Sequence, residues 1–297
     1  MAYQQQMQKI ATAPGFVAAL DQSGGSTPKA LRLYGLEDDA YGSDAEMFDC
    51  IHEMRCRIIK SPSFSGEKVV GAILFENTME RHVESTPVAE YLWSNCGVVP
   101  FLKVDQGLAE AQNDAQLMKP IAGLETLLKR AKSAGIFGTK MRSVIHGANK
   151  VGIADIADQQ FSIGSEILDA GLMPILEPEV SISIADKAAA ENMLCAALLE
   201  RLNHVPKDRQ VMLKLTLPEV DNHYQKLIEH PRVLRVVALS GGYSRSEANA
   251  KLAQNSGMIA SFSRALTEGL SAQQSDTDFH HALGESINGI YQASIAG

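Results

Sequence analysis

Three lysines of this 297-residue chain stand inside apolar runs that have no packing use for a charge. Lys214 interrupts Val211-Met212-Leu213 and Leu215-Thr216-Leu217, Lys103 sits in Phe101-Leu102-Lys103-Val104-Asp105, and Lys140 sits in Phe137-Gly138-Thr139-Lys140-Met141-Arg142. Two carboxylates are placed alike: Asp21 closes Phe16-Val17-Ala18-Ala19-Leu20, and Glu177 closes Leu172-Met173-Pro174-Ile175-Leu176, with Glu179 two residues on. A charge embedded in a strand costs several kcal/mol of desolvation unless it is partnered or used. A lysine held among apolar residues and beside a second cation has its ammonium form disfavoured, which leaves a neutral amine able to attack a carbonyl. The protonated imine that results withdraws electrons from the adjacent carbon, so a C–C bond one atom away can break or form while a carboxyl group shuttles protons. Lys214 has the most apolar flanks and is the expected nucleophile. Lys140 is the neighbouring cation, and Glu177, Glu179 and Asp21 are the proton-transfer candidates.

Anion binding is the second ingredient. Ser240-Gly241-Gly242 follows the apolar run 233–239 and precedes a helical pattern, so backbone N–H groups bared by glycine would face an anion at a helix start. Arg264 comes just after the next apolar run. A similar loop, Ser23-Gly24-Gly25-Ser26, follows the run that ends at Asp21. Two phosphate sites flanking an imine-forming lysine imply a bisphosphorylated sugar. Lys103, Lys140, Arg142, Lys214 and Arg264 against Asp21, Glu177 and Glu179 leave two positive charges in excess locally, while the whole chain carries a formal −8. Such a site focuses an anionic substrate in a salt-sensitive way, and the overall charge argues against nucleic acid or an anionic membrane as partner.

These residues need a scaffold that brings distant strands to one mouth. Short apolar runs alternate with longer amphipathic stretches along the chain, the pattern of parallel strands joined by helices. The expected strands are 15–21, 69–75, 98–104, 136–142, 172–177, 210–215, 233–240 and 258–262. Eight is the closure number of a (β/α)8 TIM barrel, and each of the charges above falls at the expected C-terminal end of a strand, the face where such barrels place chemistry. Helices are expected over 121–134, 155–170, 185–203 and 244–254, with Gly135 and Gly171 as C-terminal stops. We read one α/β domain over 1–297, with the barrel core at about 15–270, a weakly ordered stretch at 270–278 and a closing helical tail at 279–297.

The N-terminus has neither a basic head nor a long apolar stretch, so no signal peptide is read, and no run approaches a membrane span. Cys50, Cys56, Cys96 and Cys195 show no paired spacing and are taken as reduced. The expected location is the cytoplasm. Barrel enzymes often associate into homo-oligomers, but no sequence stripe identifies an interface.

In order along the chain, Leu20-Asp21-Gln22-Ser23-Gly24-Gly25-Ser26, 97–107 with Lys103-Val104-Asp105 inside it, Thr139-Lys140-Met141-Arg142, Pro174-Ile175-Leu176-Glu177-Pro178-Glu179, Leu213-Lys214, Leu239-Ser240-Gly241-Gly242 and Ser263-Arg264-Ala265-Leu266 together resemble class I fructose-1,6-bisphosphate aldolase. This is the metal-independent, Schiff-base family, and the chain is similar to its short bacterial version. The resemblance implies that Lys214 forms the iminium with dihydroxyacetone phosphate and that Glu177 handles protons in dehydration and C–C cleavage. It implies that Asp21 assists at the substrate hydroxyls and that Lys140 and Glu179 tune the nucleophile. Ser240, Gly241, Gly242 and Arg264 would hold the phosphate on the ketone end, and Ser23, Ser26, Lys103 and Arg142 the other. No cofactor and no metal are implied. Three departures stand out: Tyr291 is not terminal, whereas animal-type members end in a tyrosine that aids proton exchange; Gln22 stands where they carry an acid; and Ser263 stands where they carry glycine.

Three rivals are weighed. A zinc-dependent aldolase is disfavoured because the adjacent pair His280-His281 cannot easily face one ion from a helix and has no carboxylate spaced for it. A monophosphate aldolase or transaldolase is countered by the two-phosphate reading, which rests on the inferred loop after the first strand. A non-catalytic barrel is countered by the retention of three strand lysines and both glutamates, because an unused buried lysine is a stability cost.

Overall fold

The computed structural model describes residues 2–297. Eight parallel strands carry the molecule: β1 (Phe16–Leu20), β2 (Val69–Leu74), β3 (Val99–Lys103), β4 (Gly138–Ile145), β5 (Met173–Val180), β6 (Val211–Thr216), β7 (Val233–Leu239) and β8 (Met258–Phe262). Each pairs in parallel with the next, β1 also pairs with β8 through Val17↔Ser261 and Ala18↔Phe262, and the sheet closes on itself. All eight expected strands are present, and the fold is a TIM barrel. The strands are near-continuous apolar runs because helices cover them outside and side chains fill them inside.

Two side-chain sets follow from the strand period of two. One set points outward and joins the helices in the large outer core. The other, including Val17, Ala19, Ile73, Val99, Phe101, Met173, Ile175, Met212, Val237 and Ile259, fills the barrel's lower interior. Gly138 is required there, since a Cβ on it would lie 2.2 Å from the Met173 carbonyl oxygen and 2.9 Å from the Phe101 ring. The helix Ala2–Thr12 packs Ile10 against the lower cluster, and Tyr3 stacks 4.9 Å from Phe137. The Arg235 guanidinium donates to the Ala11 carbonyl at 2.8 Å and ties this floor to β7. Burying Ile10 contributes roughly 1.5–3 kcal/mol. This floor helix was not among the expected elements.

Three further differences bear on the site. β4 and β5 run to Ile145 and Val180, beyond the expected ends at 142 and 177, because Ser143↔Pro178, Val144↔Glu179 and Ile145↔Val180 extend their ladder. Lys140 and Glu177 are therefore inside strands, and Lys214 is the fourth residue of the six in β6, so these three are not strand-end charges. The backbone ladder between β5 and β6 pairs only Ile175↔Met212 and Leu176↔Leu213, and the Thr216 hydroxyl bridges the rest by bonding both N–H and C=O of Val180. The stretch 270–278 is tied down, with the Ala272 N–H donating to the Tyr34 carbonyl and Arg57 donating to the Gln274 carbonyl at 2.6 Å, before the closing helix Asp276–Ala296.

The expected helices appear as Leu124–Ser133, Lys150–Asp169, Lys187–Leu202 and Arg245–Leu252. The second starts five residues earlier than expected because the Asn149 side chain accepts from the N–H groups of Val151 and Gly152. Gly135 and Gly171 take left-handed φ of 82° and 81° after their helices. Among the described residues no helix is long and apolar enough to cross a membrane.

Candidate active site

The inward alternation that places Met212 and Ile175 in the barrel floor turns Lys214 and Glu177 inward one step higher, and does the same for Lys140 above Gly138 and Ser261 above Ile259. Together with Asp21 and Lys103 at the ends of β1 and β3 they open into a cavity of about 570 Å³. Twelve of the thirteen residues expected at the site line this cavity: Lys214, Glu177, Asp21, Lys140, Glu179, Ser240, Gly241, Arg264, Lys103, Arg142, Ser23 and Ser26. Gly242 does not. It is exposed beside the lining, where a Cβ on it would be 3.5 Å from the Arg264 guanidinium. Six basic and four acidic side chains line the cavity once Lys29 and Asp105 are included, so the excess of two positive charges holds.

Glu177 is shared by two lysines. Its Oε1 is 3.0 Å from Lys214 Nζ and its Oε2 is 3.0 Å from Lys140 Nζ, with all three side chains no more than 5% exposed. The Oε2 contact is an ion pair without hydrogen-bond alignment, so that lone pair remains free to meet a ligand proton. Lys140 Nζ also lies 2.7 Å from Asp21 Oδ2 and 3.9 Å from Asp105 Oδ2. Burial works to raise the Asp21 carboxyl, but the charges of Lys140, Lys214 and Lys103 outweigh it and hold the group well below the usual carboxylate range. Burial also works against the Lys140 ammonium, and Asp21, Glu177 and Asp105 outweigh that in turn, raising it well above an ordinary lysine. Asp21 and Lys140 thus hold each other in the charged form. Burial opposes the Arg142 charge too, and its ion pair with Glu179 raises it on balance.

The two Ser-Gly-Gly loops read in the sequence as anion-site candidates are both tight turns at the mouth. Gly241 has a φ of 61°, a Cβ there would lie 2.7 Å from Ile182 Cγ2, and the Tyr243 N–H closes the turn onto the Ser240 carbonyl at 3.0 Å. Across the mouth, Ser23 and Ser26 form a closed turn in which the Ser26 hydroxyl donates to the Ser23 carbonyl and accepts from the Ser23 N–H, each at 3.0 Å. Lys103 Nζ is 2.7 Å from Asp105 Oδ1.

Several residues had no role in the sequence reading. Asp105 stands two residues past Lys103, the inward period, and that spacing was a usable signal. Ser261 is inward on β8, 2% exposed, with an unpartnered hydroxyl. Two of the three departures from the animal-type pattern meet: Gln22 Nε2 donates to Ser263 Oγ at 2.8 Å. Nothing in the sequence joins residues 241 positions apart. Behind Gln22 lies fully buried Arg55, which burial pushes down to about 10, against the opposing pull of the Asp21 charge. Tyr291 packs on the closing helix with Lys68 Nζ 5.8 Å from its ring, and Lys68 precedes β2 at the opposite end of the barrel from the site. His281 does have a carboxylate in reach, Glu285 at 3.5 Å, because i and i+4 share a helix face; the pair is exposed. Among the described residues no three His, Cys, Asp or Glu side chains are grouped to hold a metal ion.

Comparison with known proteins adds the following. A family model described as class-I fructose-bisphosphate aldolase, glycolytic, matches residues 4–222. A fructose-bisphosphate aldolase class 1 of a Synechocystis species is 59% identical over 292 residues, covering 98% of this chain and 97% of that protein. Proteins of the same name are 57% identical in Porphyromonas gingivalis, over 98% of this chain and 99% of the relative, and 53% identical in Clostridium acetobutylicum, over 98% of each. The solved structure of a fructose-bisphosphate aldolase from Plasmodium falciparum superposes with a TM-score of 0.78 at 21% identity, covering 99% of this chain and 95% of that one, a likeness of fold.

Proposed function

The chain belongs to the class-I fructose-bisphosphate aldolase family, and we propose that it reversibly cleaves fructose 1,6-bisphosphate to dihydroxyacetone phosphate and glyceraldehyde 3-phosphate through an imine on Lys214. The observation that carries this is the 3.0 Å contact of Lys214 Nζ with Glu177 Oε1, both shielded from solvent, in a cavity with a Ser-Gly-Gly loop on either side.

Proton transfer from Lys214 to Glu177 across that contact leaves a neutral amine beside a carboxylic acid. The amine adds to the C2 carbonyl of the open-chain sugar, and the acid protonates the C2 hydroxyl, which leaves as water. Glu177, again a carboxylate, takes the proton of the C4 hydroxyl as the C3–C4 bonding electrons flow into the iminium. Asp21, held ionised by Lys140, accepts a hydrogen bond from the neighbouring C3 hydroxyl. Aldehyde leaves, the enamine takes up a proton, and hydrolysis frees the ketone. The iminium is itself the electron sink, so no metal or cofactor enters the scheme. Ser240, Gly241 and Arg264 hold the ketone-end phosphate; Ser23, Ser26, Lys103 and Arg142 hold the other. Glu179 fixes Arg142 through their ion pair. The reaction belongs to glycolysis and gluconeogenesis, and four unpaired cysteines suit a reducing cytoplasm.

Borohydride reduction with dihydroxyacetone phosphate tests the reading: mass is gained on the peptide containing Lys214, and Lys214→Ala abolishes both the label and, by several orders of magnitude, turnover. A label on another lysine overturns it.

A further inference from the structure

Arg55 is a buried cation that the mechanism above does not use. It is 0% exposed, and among the described residues no carboxylate forms an ion pair with it. Instead Nη1 donates to Thr78 Oγ1 at 2.5 Å, and Nη2 donates to the Gln22 backbone carbonyl at 2.6 Å and to Gln22 Oε1 at 3.2 Å. A guanidinium can only donate, so the amide must turn its oxygen to Arg55. That fixes the amide nitrogen on the far side, 2.8 Å from Ser263 Oγ, as a donor. Ser263 Oγ therefore accepts, and its own hydrogen has to leave in another direction. Among the described residues that hydrogen meets no acceptor, and Ser263 lines the same cavity as its chain neighbour Arg264 and as Gly241.

We propose that Arg55 and Gln22 act as positioning residues that turn the Ser263 hydroxyl into the cavity as a donor, making Ser263 a further contact for the phosphate on the ketone end of the substrate. The proposal rests on the aldolase reading for the identity of that phosphate, and on hydrogen-bond direction alone for the donor. It also accounts for an amide at position 22. A carboxylate there would accept from Arg55 and from Ser263 alike, and would draw the serine hydrogen out of the cavity.

The test uses Ser263→Ala, Gln22→Glu and the double variant, leaving buried Arg55 in place so that the fold is kept. Two probes are read: inorganic phosphate by calorimetry, and borohydride trapping at Lys214 with dihydroxyacetone phosphate against unphosphorylated dihydroxyacetone. Loss of one hydrogen bond to a charged ligand weakens phosphate and dihydroxyacetone phosphate roughly tenfold in either single variant. Dihydroxyacetone is trapped with the wild-type concentration dependence, and Gln22→Glu adds little once Ser263 is alanine. Equal phosphate affinity in wild type and Ser263→Ala overturns the proposal and leaves the aldolase reading standing. A Gln22→Glu penalty of the same size in the Ser263→Ala background also overturns it, by showing charge repulsion rather than hydroxyl orientation. Wild-type protein that binds phosphate through Ser263 but traps no ketone at Lys214 sinks the aldolase reading, and with it the identity of the phosphate, and keeps Ser263 as an oriented phosphate donor.

Discussion

Replacing Lys140 by methionine keeps the volume and removes the charge that holds two carboxylates together. Its Nζ is 2.7 Å from Asp21 and 3.0 Å from Glu177, and at an effective dielectric of about 20 each contact is roughly 6 kcal/mol of attraction. Most of that offsets the desolvation of burying the charges. What is lost on removing one partner is about 3–5 kcal/mol, because an uncompensated buried anion is left behind. Glu177 still faces Lys214 in this variant, but Asp21 has no other cation within 4 Å. Asp21→Asn added to Lys140→Met should therefore recover part of the loss.

The pH dependence gives the sharper readout. In the wild type Asp21 is held below the unfolded value, so its stabilisation is present above the ordinary carboxylate pKa and is lost as pH falls through the depressed one. Lys140 is held above its unfolded value, so its share is present below the ordinary lysine pKa and is lost only as pH rises through the elevated one. The contribution of this pair is flat between these limits. In Lys140→Met, burial of Asp21 acts with its nearest cation gone and raises the carboxyl. The fold then binds a proton the unfolded chain does not, and stability falls as pH rises. Urea unfolding followed by circular dichroism at mildly acidic and mildly alkaline pH should show a larger deficit at the alkaline end, with a melting temperature lowered on the order of 10 °C at neutral pH. A deficit equal at both pH values, or below about 1 kcal/mol, would refute Lys140 as the clamp on a buried carboxylate.

Gly241→Ala places a methyl 2.7 Å from Ile182 at a left-handed φ, so the loop shifts; steady-state assays should show a raised KM for the bisphosphate while dihydroxyacetone is still trapped at Lys214. Ser26→Ala should raise KM for fructose 1,6-bisphosphate more than for fructose 1-phosphate, and equal losses on the two substrates would count against a second phosphate site. Tyr291→Phe should leave turnover and enamine proton exchange unchanged, since the ring packs near Lys68 at the far end of the barrel; slower exchange by NMR would show that the closing helix reaches the site.

Residues were legible in the sequence where a local pattern and a chemical oddity coincided. Lys214 stood out because a strand of Val, Met and Leu tolerates a charge only for a reason, and the structure puts that charge against Glu177. The Gly-rich loops were legible because left-handed backbone at Gly241 needs glycine. The depth of Lys140 and Glu177 was not, since Ser143 and Pro178 look like loop residues until the ladder between β4 and β5 carries them on. The floor helix escaped because Gln4-Gln5-Gln6 gives a polar start with only Tyr3, Met7 and Ile10 to anchor it, and its partners lie at the base of several strands. Gln22 and Ser263 were noticed singly, as departures, but their contact is a product of barrel closure between β1 and β8.

That contact suggests why closure matters to the chemistry beyond supplying a mouth. In an open sheet the first and last strands are edges, and their loops move independently. Here β1 and β8 pair at Val17↔Ser261 and Ala18↔Phe262, and the Gln22–Ser263 bond continues the seam above the last backbone pair. Asp21 on one side of the seam and Arg264 on the other both line the cavity, and in the proposed reaction they face the reacting carbons and the phosphate. In that reaction any slip along the seam would change the distance between the imine carbon and its phosphate anchor. A misplacement of about 1 Å is enough to cost two orders of magnitude in rate, so a side-chain bond at this one position fixes geometry that the backbone ladder, ending at Phe262, leaves free.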